Sequence, residues 1–292
     1  MKPTDRFSVR KITIFTEYNI NDRNLCYDRG ALANRGAMDQ EQKTHHGEDI
    51  SMTNIERFVQ MVEESDHIVF FGGAGVSTES GIPDFRSVDG MYNQKYDYPP
   101  ETILSHSFYI NNTEEFYRFY RDKMLCLDAK PNITHKKLAE LEAAGKLAAV
   151  ITQNIDGLHQ AAGSKRVLEL HGSVHRNYCR CCGKGFDARY VLESDTKIPR
   201  CDACGGDLKP DVVLYEEGLD QKTLEDALFY IRHADMLIIG GTSLAVYPAA
   251  GLIHDYHGDK LVLINKSATP MDGRADLVIQ AGLGEVFGQV EV

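Results

Sequence analysis

Short, unbroken apolar runs recur along the chain at 68–71, 147–151, 236–239, 261–264 and 277–279. None alternates apolar with polar residues. Continuous runs of this length read as strands covered on both faces, the habit of a parallel sheet. Most stop in a polar or glycine-rich turn: Gly72-Gly73-Ala74-Gly75, Thr152-Gln153-Asn154, Gly240-Gly241-Thr242-Ser243 and Asn265-Lys266-Ser267. Helical stretches separate the runs. The pattern predicts an α/β fold, a doubly wound parallel sheet whose ligands gather at the strands' carboxyl ends. A helix is predicted to open at Met52, with Ile55, Phe58, Val59 and Val62 on one face and Thr53 and Glu56 spaced as a capping box.

Two insertions interrupt this alternation. Residues 89–128 are helical in pattern and aromatic, with Phe116, Tyr117, Phe119 and Tyr120, and residues 175–209 carry clustered cysteines. Residues 1–51 differ from the rest. They are polar, with a brief apolar patch at Ile12–Phe15, and are expected to form a poorly ordered extension. His45-His46 reads there as part of a solvated stretch rather than as metal ligands. The predicted division is therefore 1–51 as extension; 52–88, 129–174 and 210–292 as the large domain; and 89–128 with 175–209 as the small one. On this division Met52 is the expected natural start.

Composition narrows the function. The 292 residues carry a net charge of -11. An acidic chain offers no basic face for nucleic acid. Its charge would suit a cationic protein substrate, although acidity is commonly a solubility feature. No run approaches the ~18 apolar residues of a membrane span, and the N-terminus lacks an apolar signal core. Seven cysteines, four of them in paired spacing, suit a reducing compartment and a metal, so a cytoplasmic location is expected.

The stretch 68–86 carries the strongest chemistry. An apolar strand runs into Gly72-Gly73-Ala74-Gly75, where glycines let the backbone turn and approach a phosphate at the N-terminus of a following helix. Thr78 stands where a dehydrogenase fingerprint would place its third glycine. Gly81-Ile82-Pro83-Asp84-Phe85-Arg86 then adds an aromatic ring and a guanidinium. Farther on, Cys179-x-x-Cys182 and Cys201-x-x-Cys204 form two thiolate pairs separated by 18 residues. Two such knuckles supply tetrahedral sulfur to one Zn²⁺ and leave no open position, so the zinc is expected to be structural. Cys181 blurs the register and can replace Cys182. Equal spacing of the two pairs favours Cys182. Cys26 and Cys126 read as ordinary thiols. Thr152-Gln153-Asn154-Ile155-Asp156 follows a strand directly and suits sugar hydroxyls and a small amide, or a helix cap. His171 ends another apolar run and titrates in the range of a general base. His106, His135, His159 and His175 have no such setting.

Gly-Ala-Gly-Val-Ser at 73–77, Gly-Ile-Pro-Asp-Phe-Arg at 81–86, Thr-Gln-Asn-Ile-Asp at 152–156, His171-Gly172, the four cysteines and Gly-Thr-Ser at 241–243 together resemble the sirtuins, NAD-dependent protein-lysine deacylases. The resemblance runs from about Met52 to the C-terminus. It implies a Rossmann-like large domain, a smaller zinc-binding plus helical domain, and a cleft between them for NAD and an acyl-lysine peptide. It implies that Asn154, Ile155 and Asp156 hold nicotinamide and its ribose, with Asn154 and His171 catalytic. Phe85 would shield the pocket from water, and Arg86 and Ser77 would position phosphates and sugar. Ala74, Thr78 and Gln153 would line the NAD site, with Thr242, Ser243, Asn265 and Leu283 on the adenosine side. The implied products are nicotinamide, deacetylated lysine and 2′-O-acetyl-ADP-ribose. A peptide would add as a strand between Val212–Glu217 and Leu244–Tyr247. There the chain departs from the family: the usual Phe-Gly-Glu reads Tyr215-Glu216-Glu217. Tyr92-x-x-Lys95 only superficially matches the Tyr-x-x-Arg pair of desuccinylases, because lysine lacks arginine's bidentate fork. Acetyl is therefore the expected acyl group. The rival readings are a sirtuin-fold mono-ADP-ribosyltransferase, a non-enzymatic NAD-sensing module and an NAD oxidoreductase.

Overall fold

The structure is a computed structural model and describes residues 52–84 and 96–292. The extension 1–51, with Cys26, His45 and His46, lies outside the described residues, as do Phe85, Arg86, Tyr92 and Lys95.

All five predicted apolar runs are strands, and a sixth joins them. They are β1 (Ile68–Gly72), β2 (Leu147–Thr152), β3 (Val167–Glu169), β7 (Met236–Gly240), β8 (Leu261–Ile264) and β9 (Leu277–Ile279). They pair in parallel in the order β3-β2-β1-β7-β8-β9. Counting these strands along the chain, that is 3-2-1-4-5-6, the order of dinucleotide-binding sheets, with the direction of winding reversed between β1 and β7.

The runs are unbroken because both faces are covered. Phe70 faces a core with Phe58, Leu138, Val286 and Phe287, contributed by α1 (Asn54–Glu63), α5 (Ile133–Ala143) and α9 (Leu283–Phe287). Phe71, next in sequence, faces the opposite core with Ala227 and Ile231 of α8 (Gln221–His233). Helix α1 carries the expected capping box. The Thr53 side chain accepts from the Glu56 amide, and Glu56 accepts from the Thr53 amide at 2.7 Å.

The cysteine segment forms a small antiparallel sheet, β5-β4-β6, from β4 (Gly172–Cys179), β5 (Gly185–Phe186) and β6 (Leu208–Val212). Two of its strands straddle the divisions drawn at 174/175 and 209/210. Beside it pack α2 (Pro100–Ile103), α3 (His106–Asn111) and α4 (Thr113–Phe119). The aromatic residues Tyr109, Phe116, Tyr117, Phe119 and Tyr120 share one core with Cys179, Val191, Cys201 and Leu208. Both Tyr109 and Tyr117 donate their hydroxyls to the Leu208 carbonyl, at 2.8 and 2.7 Å. An aromatic core suits a small unit because each ring buries a large area for few residues.

One expectation is corrected. Among the described residues, no α-helix follows β1 directly; two 3-10 turns, Ala74–Val76 and Thr78–Ser80, take its place. Gly81 at φ 82° closes the second turn, and Pro83, without an amide hydrogen, prevents a helix from continuing.

Candidate functional site

The switch point between β1 and β7 opens into a cleft of about 770 Å³. Ala74, Ser77, Thr78, Gln153, Asn154, Ile155, Asp156 and His171 line it. So do Thr242, Ser243, Asn265 and Leu283, from the ends of β7, β8 and β9. The parallel strands all end on this side, so residues far apart in sequence meet there.

The glycine loop works differently from the expectation. The amides of Gly73 and Gly75 are committed to the carbonyls of Gly240 and Gly241, at 3.2 and 2.8 Å. A Cβ on Gly75 would lie 2.7 Å from Gly241 Cα. These glycines let two strand-end loops pack backbone to backbone, so their amides are spent inside the protein.

Beside that contact sits a wired polar group. Asn154 donates through Nδ2 to the Gly73 carbonyl and to Ser77 Oγ, both at 3.0 Å. Ser77 Oγ donates to Asp156 Oδ2 at 2.6 Å. The other carboxylate oxygen accepts from the Leu158 amide at 2.9 Å. Gln153 donates to Thr242 Oγ1 at 3.1 Å, joining the ends of β2 and β7. His171 lies at the β3–β4 corner with Nδ1 2.9 Å from the Gln153 carbonyl. A carbonyl only accepts, so Nδ1 carries the proton and the neutral ring keeps a lone pair on Nε2. Burial lowers the His171 pKa from its ordinary value, partly opposed by the Gln153 carbonyl. The imidazole is thus neutral, as a base must be, at physiological pH.

Outside the cleft, the sulfur atoms of Cys179, Cys182, Cys201 and Cys204 lie within 4.8 Å of one another. Cys179 and Cys204 are 3.4 Å apart and Cys182 and Cys201 3.6 Å. Four sulfurs at about 2.3 Å from a tetrahedral Zn²⁺ sit roughly 3.8 Å apart, so the group fits zinc. The two knuckles repeat one geometry, with Gly183 N–H donating to the Cys179 carbonyl and Gly205 N–H to that of Cys201. Amides of Cys182 and Cys181 point at Cys179 Sγ and pull its thiol down to about 6, favouring the thiolate a metal needs. Cys181 supplies an amide, and its own sulfur is outside the set.

Some residues of the site carry no legible motif. His175 Nε2 lies 2.9 Å from the Asp156 carbonyl. Asn132 donates to the Val76 carbonyl at 2.7 Å and to Ser80 Oγ at 3.0 Å, tying α5 to the cofactor loop. Its capping position at the head of α5 is the sequence signal that could have found it. Glu79 accepts from the Gly284 amide at 3.2 Å, and Cys126 lines the cleft.

A doubly wound sheet with a ligand crevice at its switch point, beside a separately cored four-thiolate module, defines an α/β dinucleotide-binding protein with a zinc-type appendage. Residues 73–248 match the Sir2 family. An NAD-dependent protein deacetylase of Clostridium acetobutylicum is 60% identical over 241 residues, covering 82% of this chain and 98% of that protein. One of Staphylococcus epidermidis is 46% identical, covering 81% of this chain and 96% of its own length. A Sir2 structure with a p53 peptide and NAD⁺ has a TM-score of 0.72 at 40% identity, covering 80% of this chain and 96% of that one. Another, Sir2Tm bound to a propionylated peptide, has a TM-score of 0.73 at 38% identity, over 81% and 97%. The chain belongs to the Sir2 family.

Proposed function

We infer that this chain is an NAD-dependent protein-lysine deacetylase that yields nicotinamide, deacetylated lysine and 2′-O-acetyl-ADP-ribose. The observation that carries the reading is the neutral His171, with Nε2 as its free lone pair, set by Gln153 beside the Asn154–Ser77–Asp156 group. The cleft volume is in the range of small-molecule sites, and relatives at 46–60% identity carry this activity in their names.

NAD, when bound, supplies the ribose carbon that receives the acyl oxygen once nicotinamide leaves. Asn154, Ile155 and Asp156 hold the nicotinamide end, with the Asn154 carboxamide fixed by its two donated bonds. Ala74, Ser77, Thr78 and Gln153 take the central part, together with Phe85 and Arg86. Thr242, Ser243, Asn265 and Leu283 take the adenosine half. His171 accepts a proton at Nε2 from a ribose hydroxyl. Holding both reactants in one cleft supplies orientation. Zinc on Cys179, Cys182, Cys201 and Cys204 is structural. Its module shares a core with the α2–α4 helices, and the two form one small domain against the large sheet. Substrates are acetyl-lysine proteins or peptides, with no nucleic acid or membrane partner. Among the described residues no helix is long and apolar enough to cross a membrane. Four cysteines gathered as metal ligands fit a reducing, cytoplasmic setting.

The test is incubation with NAD and a panel of acyl-lysine peptides, with products identified by mass. The expected products are nicotinamide and O-acetyl-ADP-ribose in equal amounts. ADP-ribosylated protein in their place would favour the transferase reading.

A further inference from the structure

The segment that follows β6 carries a residue in an unusual place. The Glu217 amide donates to the Leu214 carbonyl at 3.0 Å, closing a tight turn over Leu214–Glu217. Glu216, the third residue of that turn, has φ 76°. That is left-handed backbone, where glycine is at ease and a side chain is strained. Such strain persists when surrounding contacts over-determine the conformation.

Those contacts are identifiable. The Glu216 carboxylate accepts from the Ser107 amide at 2.8 Å and from Ser107 Oγ at 2.6 Å. Both bonds stabilise the ionised form and lower its pKa. The flanking residues run the same way: His106 donates its amide to the Tyr215 carbonyl, and Tyr215 donates to the Leu104 carbonyl, both at 3.0 Å. His106 Nδ1 lies 2.8 Å from Glu217 Oε1, and Lys209 Nζ 3.1 Å from Glu217 Oε2. The turn is therefore stitched to the start of α3, in the small unit. Its residues Leu214–Glu217 line the cleft, as do Val246 and Tyr247 from the segment that follows β7.

We propose that Glu216 is a positioning residue for the peptide: by clasping Ser107 it holds the Leu214–Glu217 turn in the shape that one wall of the acyl-lysine groove requires. The inference rests on the deacetylase reading above. It assigns a task to a side chain that the strained backbone would otherwise disfavour, and it makes α3 part of the peptide wall without touching the peptide. Glu216 has no contact with the Asn154–Ser77–Asp156 group, so its effect falls on peptide affinity rather than on chemistry.

The experiment compares steady-state deacetylation of an acetyl-lysine peptide by the full chain and by E216G, E216Q, S107A and the E216G/S107A double variant. E216G removes both the strain and the clasp, whereas E216Q keeps an acceptor oxygen. Peptide KM is expected to rise on the order of threefold to tenfold in E216G, with kcat and the KM for NAD within about twofold of wild type. E216Q should recover part of the loss, and the double variant should be no worse than E216G, because one clasp is lost once. A purely structural role would lower Tm and leave peptide KM in place. Wild-type turnover with an unchanged peptide KM in E216G overturns the inference alone, as does a matching rise in the KM for NAD. No turnover of any acyl-lysine peptide by the wild type overturns the deacetylase reading and this inference with it.

Discussion

Acid should unfold this protein through two histidines that take no part in its chemistry. His135 and His159 are buried with ring centroids 4.7 Å apart. His135 Nδ1 meets Asn132 Oδ1 at 2.9 Å, but its Nε2 and both nitrogens of His159 have no hydrogen-bond partner among the described residues. Burial holds His135 down to about 4 and His159 down to about 3. In the unfolded chain each ring titrates near 6.5. Above that value both states are neutral and no stability is at stake. Below it the unfolded chain takes up protons that the folded protein refuses, so stability falls with pH until the folded values are reached. Each ring costs ~1.4 kcal/mol per pH unit in that window. From pH 7.5 to pH 5 the loss is about 2 kcal/mol per ring and roughly 4 for the pair, against a typical total of about 5–15. Urea unfolding at the two pH values measures it. His159→Met removes one ring that makes no hydrogen bond among the described residues, so it should be near neutral at pH 7.5 and should reduce the acid loss by about 2 kcal/mol, one ring's share. Equal wild-type stability at both pH values, or an unchanged loss in the variant, would refute the reasoning.

His171→Ala should leave NAD binding intact and cut deacetylation by about 10²–10⁴-fold, the usual worth of a general base; near-normal turnover would remove His171 from the chemistry. The acid limb of kcat/KM should fall below pH 6.5, because burial lowers this histidine's pKa. Cys201→Ala should lose zinc, read by elemental analysis, and with it the fold of the small unit; full activity without bound metal would contradict a structural role. Gly75→Ala should cost on the order of 1–3 kcal/mol in Tm-derived stability, since its new Cβ would lie 2.7 Å from the Gly241 backbone. A chain starting at Met52 should fold and deacetylate as the full chain does, because α1 carries its own capping box; activity lost on truncation would show that residues 1–51 contribute.

What sequence made legible followed from locality. Buried strands announce themselves by unbroken apolar runs, and Thr53 and Glu56 announce a cap by their spacing. The sulfur set was legible because both knuckles are local and repeat. Strand β4 was not, because Gly172–Cys179 shows neither an apolar run nor a regular alternation: Ser173 and Val174 are buried, His175 and Arg176 exposed, and the polar Asn177 is buried between neighbouring strands. The use of Gly75 was hidden for a different reason. A glycine facing a phosphate and a glycine facing another backbone read alike, and the partner, Gly241, is 166 positions away. His175 and Asn132 likewise act through single hydrogen bonds to distant main-chain atoms, which leave no periodicity behind.

Hydrogen-bond accounting indicates what the site has left to offer a ligand. Asn154 spends both amide hydrogens on Gly73 and Ser77, and Ser77 spends its one hydroxyl hydrogen on Asp156. Asp156 uses an oxygen on Ser77 and the other on the Leu158 amide. His171 spends its Nδ1 hydrogen on Gln153. Within the Asn154–Ser77–Asp156 group and His171, the side-chain hydrogens are spent, and the groups left are acceptors, Asn154 Oδ1 and His171 Nε2 among them. Acceptors of this kind select a ligand rich in donors and repel an anion. A carboxamide and the hydroxyls of a ribose are donors, whereas a phosphate is not. The proposed function therefore puts the nicotinamide end of the cofactor beside Asn154 and His171.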